Sequence, residues 1–369
     1  MSTHGRVLVA MSGGVDSSVT AAMLHEQGYE VIGITMKTWD YSTSGGSSDK
    51  ETGCCSLESI HDARSVAMEM DFEHFIVDIR EEFGDWVIDR FVEDYLGGRT
   101  PNPCVLCNTH IKWAALLRRA DDLDCEHIAT GHYARVRHDE ESGRYVIQRG
   151  LDRNKDQSYA LWGLPQDHLA RSMFPLGEYE KPRIRELASE FQLDRVADKP
   201  DSYEICFVPD DDYGRFLRDR VDGLEEEVAG GDFVLEDGTV VGEHDGYPFY
   251  TIGQRRGLDL SLGKRVYVTD IDPDTNTITV GPREELMNQT LRAEQINLVK
   301  YPELEEERPA VGTIRYNDDG APCLAEQTGE DELTVHFREP KRAITPGQSV
   351  VLYEGDDVLG GGWIQEVTD

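Results

Sequence analysis

The chain has 369 residues and a formal net charge of −35, with 72 acidic side chains against 37 basic ones. That length suits two or three domains, and no apolar run reaches the roughly 18 residues of a membrane span, so a membrane partner is not expected. The acid is spread along the chain instead of forming a tail, which predicts a salt-adapted, halophilic protein whose surface self-repulsion is relieved when the Debye length falls to about 3 Å in molar salt.

The first six residues carry no signal-peptide pattern and lead straight into a strand, which predicts a cytoplasmic protein. Seven cysteines, an odd set in a long chain, argue against a structural disulfide framework and for catalytic or metal-binding use. In chain order, residues 6–11 read as a buried strand and residues 17–27 as a helix. Between them lies Ser12-Gly13-Gly14-Val15-Asp16-Ser17. A glycine turn between strand and helix aims backbone N–H groups and the positive end of the helix dipole at one point, where an anion binds. Two glycines let a phosphate approach the backbone, and Ser12 and Ser17 add hydroxyl donors. The stretch is neither a Walker A loop nor a dinucleotide fingerprint.

Strands at 30–36, 74–78 and 126–130 alternate with helices at 57–70, 81–96 and 111–121, the pattern of a parallel α/β sheet with ligands at the carboxyl ends of its strands. Residues 38–52 read as a surface loop. Residues 97–108 read as a loop from which Pro101 and Pro103 exclude regular helix. A hairpin is expected over 134–148, and helices over 181–192 and 213–221. Beyond residue 231, short strands and Asp-Gly turns predict a small β-rich central domain and a C-terminal β-barrel, with 266–271 paired to 277–280. The division expected is 1–210, 211–290 and 291–369.

Three features carry chemistry. Cys104-x-x-Cys107 and the distant Cys206 could bind a metal, pack as small hydrophobes, or act as reactive thiols; a second C-x-x-C for a zinc site is missing. Cys54 and Cys55 read as structural, and Cys125 and Cys323 as core. The cluster Asn154-Lys155-Asp156-Gln157 could cap a helix or hold a phosphate and a base. Between Arg99 and Lys155 there are ten basic and eight acidic residues, a local excess of positive charge in a very acidic chain that suits a polyanionic substrate.

Ser12–Ser17 resembles the PP-loop of the ATP-pyrophosphatase superfamily, which splits ATP into AMP and pyrophosphate. Stretches at 11–17, 33–37, 98–108, 129–133, 150–159, 199–208, 242–257 and 345–349 together resemble the tRNA-specific 2-thiouridylases over the whole chain. The resemblance implies ATP with Mg2+ bound at Ala10, Met11, Ser12, Gly13, Gly14, Val15, Asp16, Ser17, Met36 and Gly131. It implies Cys206 as the persulfide carrier, Cys107 as its partner nucleophile, and a disulfide between them during turnover. Asn102, Pro103 and Cys104 would contact the target base. His132, Lys155, Asp156, Gln157, Arg315, Tyr316 and Gln348 would contact tRNA, and a sulfur-donor protein or cysteine desulfurase relay would supply the sulfur. Some members have Asp where this chain has Cys104. The three thiols Cys104, Cys107 and Cys206 therefore raise the alternative of a 4Fe–4S cluster. A PP-loop ligase acting on a small molecule is the other enzymatic alternative.

Overall fold

The computed structural model describes residues 4–39, 56–200 and 205–368. Cys54, Cys55 and most of the loop expected at 38–52 lie outside the described residues. The N-terminal region is built on a five-stranded parallel sheet. Its strands are β1 (Arg6–Ala10), β2 (Glu30–Lys37), β3 (Glu73–Asp78) and β4 (His127–Ala129), together with β7 (Ser172–Met173), in the order β3-β2-β1-β4-β7. Two further strands, β5 (Ala134–Asp139) and β6 (Arg144–Arg149), form the expected antiparallel hairpin.

β1 is apolar without alternation because both of its faces are covered. Val7 and Val9 pack with α1 (Val15–Glu26) and α2 (Leu57–Glu69). Leu8 points the other way, into a cluster with Ile128, Trp113 and Leu116. Each of these fully buried side chains contributes about 1.5–3 kcal/mol. This alternation fixes the strand's orientation and so places its carboxyl end, where the glycine turn begins.

The expectation for residues 97–108 needs correction at its end. Helix begins at Pro103, runs through a π-helical turn at Cys107–Lys112 and continues over Trp113–Asp122. Proline is tolerated at the first helical position because the N–H it lacks would have no helical partner there. Asn102 caps this end, its Oδ1 accepting from the Val105 N–H at 3.5 Å. A second π turn, Gly84–Ile88, interrupts the helical stretch between Arg80 and Leu96. Such turns insert a residue into the helix and displace the faces that a 3.6-residue period predicts.

The central region has β8 (Gly231–Val234), β9 (Val240–His244), β10 (Tyr267–Asp272) and β11 (Thr277–Gly281) in the order β10-β11-β8-β9. The expected pairing of β10 with β11 is present and antiparallel. At the C-terminus, β12 (Met287–Leu298), β13 (Arg308–Thr313), β14 (Ala321–Gly329), β15 (Glu332–Arg342), β16 (Ser349–Glu354) and β17 (Asp357–Thr368) form a six-stranded barrel, closed by the pairing of β12 with β17. Cys323 is buried in β14, and Cys125 is buried just before β4. No helix among the described residues is long and apolar enough to cross a membrane.

The barrel shares a core with the N-terminal region: Val299, Val351, Tyr353 and Val358 join the cluster that holds Leu8 and Trp113. Much of the basic run between Arg99 and Lys155 serves this junction. Arg135 and Arg153 reach Asp356 at 3.1 and 2.6 Å, and Arg137 reaches Asp357 at 2.8 Å. Arg144 donates to the carbonyls of Leu298 and Val299. Burial works against ionisation of Asp357, but hydrogen bonds from Arg137, Lys300 and Gln148 outweigh it and hold the carboxyl below its ordinary value. The local positive charge is therefore largely compensated across the junction.

Asn297 provides a test of that junction. Its Nδ2 donates to the carbonyls of Trp162 and Leu164 at 2.6 and 3.0 Å. Asn297→Ala leaves both acceptors without this donor, and a destabilisation of about 1–3 kcal/mol is expected, read as a lower urea midpoint.

Candidate active site

The glycine turn has the geometry of an anion cradle. Gly13 sits at φ +75°, and a Cβ on it would lie 2.0 Å from the Ser59 carbonyl oxygen. Gly14 is the N-cap of α1 and offers no side chain to the first amides of the helix, which lack intrahelical acceptors. Ser17 is held by its Oγ, which accepts from the Ser12 N–H at 3.1 Å and lies 3.3 Å from Ser12 Oγ. Met11 is locked into β2's edge, its N–H donating to Ile34 O at 2.8 Å and its carbonyl accepting from Thr35 Oγ1 at 2.7 Å. Ala10 ends β1, and Met36, near the end of β2, packs between two apolar clusters.

Two lysines complete the surroundings of the loop. Lys181 Nζ donates to both carboxylate oxygens of Asp16 at 2.8 Å, and Tyr133 Oη donates to Asp16 Oδ1 at 2.7 Å. Lys199 reaches the Gly13 carbonyl at 3.3 Å and also pairs with the buried Asp62. Neither lysine was legible as a site residue. Lys181 stands next to Pro182 at a helix start, which marks a helix and says nothing of a partner 165 residues away.

Gly131 connects this loop to the cysteine helix. A Cβ on Gly131 would lie 3.0 Å from the Asp16 carbonyl carbon and from the Ser17 nitrogen, so glycine lets the two segments touch. The next residue, His132, holds Thr130 Oγ1 through Nδ1 at 2.7 Å and packs its ring 5.6 Å from that of Trp113. Burial, helped by the Lys112 charge, pushes the His132 pKa down to about 3, which keeps the imidazole neutral near pH 7. Lys112 also acts on Cys104, opposing the stronger effect of the surrounding protein, which pushes that thiol's pKa up. Cys104 is thus recessed among protein atoms, yet its surface is solvent-exposed.

The three thiols differ in access. Cys104 is exposed, Cys107 is buried and Cys206 is half-buried, and none is in a disulfide. Cys107 belongs to an apolar cluster with Phe91, Ile111 and Phe207, and Cys206 packs against that same cluster. Among the described residues no group of three or more His, Cys, Asp or Glu side chains is arranged to hold a metal ion. The 4Fe–4S alternative on Cys104, Cys107 and Cys206 therefore does not fit this arrangement, since cluster ligands must converge on one point.

The residues expected to contact tRNA group around the same helix. Tyr316, 48% exposed just past β13, has its pKa pushed up by burial and by Asp156, with Lys155 opposing and Cys104 adding. Its ring lies 6.2 Å from that of Tyr159. Arg315 precedes it. Asp156 has a structural role: it accepts from the N–H groups of Gly150 and Ser158 at 3.0 and 3.1 Å. Gln157 Oε1 accepts from the Tyr133 N–H at 3.0 Å. Gln348 Nε2 donates to the carbonyls of Thr100 and Pro101 at 3.1 and 2.9 Å, so a barrel loop braces the segment that leads into Asn102, Pro103 and Cys104.

Comparison with known proteins gives matches along the chain. Residues 5–210 match the tRNA methyl transferase HUP domain family, 221–282 the tRNA methyl transferase PRC-barrel domain family, and 288–364 the aminomethyltransferase beta-barrel domain family. The tRNA-specific 2-thiouridylase MnmA of Salinibacter ruber is 79% identical over 367 residues, covering 100% of this chain and 96% of that protein. Those of Amoebophilus asiaticus and Cytophaga hutchinsonii are 61% and 60% identical, covering 98% and 99% of this chain and 95% and 98% of their own. With an anion-cradling loop and a cysteine helix meeting through Gly131, and with relatives similar from end to end, this chain belongs to the tRNA-specific 2-thiouridylase family.

Proposed function

We propose that this protein is an ATP-dependent tRNA-uridine 2-sulfurtransferase. The contact between Gly131 and the glycine loop, with His132 and Lys112 leading on to Cys104, carries this reading: phosphate chemistry and thiol chemistry share one site. The substrates are MgATP and a tRNA whose wobble uridine enters beside Asn102, Pro103 and Cys104. The loop Ser12–Ser17 takes the phosphates, with Met36 and Gly131 beside the rest of the nucleotide. The uridine C2 oxygen attacks the α-phosphorus and pyrophosphate leaves. A carbonyl oxygen is a poor leaving group, whereas the AMP ester departs readily. The terminal sulfur of a Cys206 persulfide then attacks C2 and AMP leaves. Cys107 attacks the Cys206 sulfur, which releases the transferred sulfur to the base and forms a Cys107–Cys206 disulfide.

Residues 1–210 form the catalytic part in this reading, while 211–290 and 291–369 bind tRNA with His132, Lys155, Asp156, Gln157, Arg315, Tyr316 and Gln348. A sulfur-donor protein or cysteine desulfurase relay loads Cys206, in the cytoplasm with the tRNA. The test is a reaction with ATP, tRNA and a persulfide donor. It should yield AMP, pyrophosphate and 2-thiouridine in equal amounts, with pyrophosphate release dependent on tRNA. Pyrophosphate release without tRNA, or tRNA that stays unthiolated, overturns the reading.

The acidic surface carries a separate expectation. With a net charge of −35, the fold gains from screening of its own repulsion. The urea midpoint should rise between 0.1 M and 2 M KCl; an unchanged midpoint removes the salt-adaptation reading.

A further inference from the structure

The reaction proposed above ends with a disulfide between two thiols that an external protein reaches poorly. Cys107 is 6% exposed and Cys206 packs against the same aromatic and aliphatic cluster, among Phe91, Phe207 and Phe216. Thiol–disulfide exchange needs direct approach of the attacking sulfur to one of the disulfide sulfurs. A folded reductant would have to part this cluster on every turnover.

Cys104 offers a route out. It lies on the first turn of the Pro103–Leu106 helix, whose helical hydrogen bonding continues through the Cys107 N–H to the Cys104 and Pro103 carbonyls. Residues three apart on a helix have Cβ atoms about 5–6 Å apart, a span that rotation of the two side chains and a small backbone adjustment can bridge as a disulfide. Cys104 is exposed where Cys107 is buried. The pair therefore joins the interior cluster to the surface within one helical turn.

We propose that Cys104 is the resolving thiol of the catalytic disulfide, and that it passes the oxidation from Cys107–Cys206 to a surface-accessible Cys104–Cys107 disulfide. The proposal rests on the sulfurtransferase reading. In the first step the Cys104 thiolate attacks Cys107 Sγ. The Cys107–Cys206 bond breaks, and Cys206 leaves as a thiolate that takes up the proton Cys104 lost. No net electrons are exchanged with the outside, and Cys206 is free to accept sulfur again. In the second step a dithiol protein with its own C-x-x-C pair attacks Cys104 Sγ. Cys107 leaves as thiolate and is protonated, and the second thiol of the reductant closes its own disulfide. The two electrons that restore the dithiol come from that reductant. The raised pKa of Cys104 favours this direction, because no stabilised thiolate holds the Cys104/Cys107 pair reduced.

The test compares wild type and Cys104→Ser, both loaded with persulfide on Cys206. After one turnover without reductant, free thiols are alkylated and the disulfides mapped by mass spectrometry. Wild type should show Cys104–Cys107, and Cys104→Ser should show Cys107–Cys206. With thioredoxin as the protein reductant, Cys104→Ser should lose at least tenfold more in its multiple-turnover rate than in its single-turnover yield. Dithiothreitol, small enough to enter the cluster, should restore most of the difference. A wild-type map showing only Cys107–Cys206, or equal losses in the two regimes, overturns the relay. If wild type makes no 2-thiouridine in the single turnover, the sulfurtransferase reading itself fails, which is a distinguishable result.

Discussion

Cys107→Ser and Cys206→Ser should each lower 2-thiouridine formation on the order of 10⁴-fold or more, the size seen when a covalent nucleophile is removed. A hydroxyl cannot stand in for a sulfur carrier, and serine does not ionise near neutral pH as a thiol with a pKa of about 8.5 does. Adenylation needs neither sulfur, so tRNA-dependent pyrophosphate release should survive in both variants. The double variant should be no worse than either single one, because residues that act as a unit do not add. Cys107 is buried, and a serine hydroxyl there seeks a hydrogen bond that an apolar cluster does not readily supply. Cys107→Ala controls for this, since it removes the sulfur without adding a polar group. If either single cysteine variant retains full thiolation, the persulfide chemistry is wrong for this chain.

Gly13→Ala should reduce ATP turnover by on the order of 10²-fold or more, comparable to removing a donor that stabilises developing charge. Two effects combine. An L-residue at φ +75° costs roughly 1–2 kcal/mol in the left-handed region. The new Cβ would also sit 2.0 Å from the Ser59 carbonyl oxygen, with the Ser59 carbonyl carbon at 2.7 Å. That neighbour is backbone near the start of α2 and cannot rotate away, so the loop or the helix must move, and the amides aimed at the phosphates move with it. Gly143→Ala separates the two effects. Gly143 has φ +68° in the turn between β5 and β6, and a Cβ added there would meet nothing within 4 Å. It should lose stability similarly while pyrophosphate release stays near wild type. Equal activity losses in the two variants would mean that backbone strain, and not the crowding at Ser59, explains the effect.

Much of the architecture follows from local pattern. The unbroken apolar run of β1, the glycine turn and the apolar helix after it are encoded within some twenty residues, so the phosphate loop could be read from them directly. The same holds for the β5–β6 hairpin and the β10–β11 pair, whose turns and alternation lie within a few residues of their strands. Local reading failed at Pro103. A proline in a polar, proline-rich stretch looks like a loop, and only the capping Asn102 and the packing of Val105 beneath it turn that stretch into a helix start. The π turn at Cys107–Lys112 was equally hidden, because it changes the spacing from which helix faces are inferred.

What the sequence by itself determined is the strand–loop–helix that cradles an anion, the parallel sheet around it, the β-rich C-terminal half and the presence of a C-x-x-C pair. Backbone periodicity and turn chemistry act over a few residues, and those features need nothing more. Tertiary structure alone decided which groups meet. It paired Asp16 with Lys181, brought Lys199 to Gly13, laid Gly131 against the loop and set Gln348 of the barrel on the carbonyls before Asn102. It also buried Cys107 while leaving Cys104 exposed on the same helical turn. Such pairings join residues tens to hundreds of positions apart, and they depend on how separate cores pack, which no local spacing records.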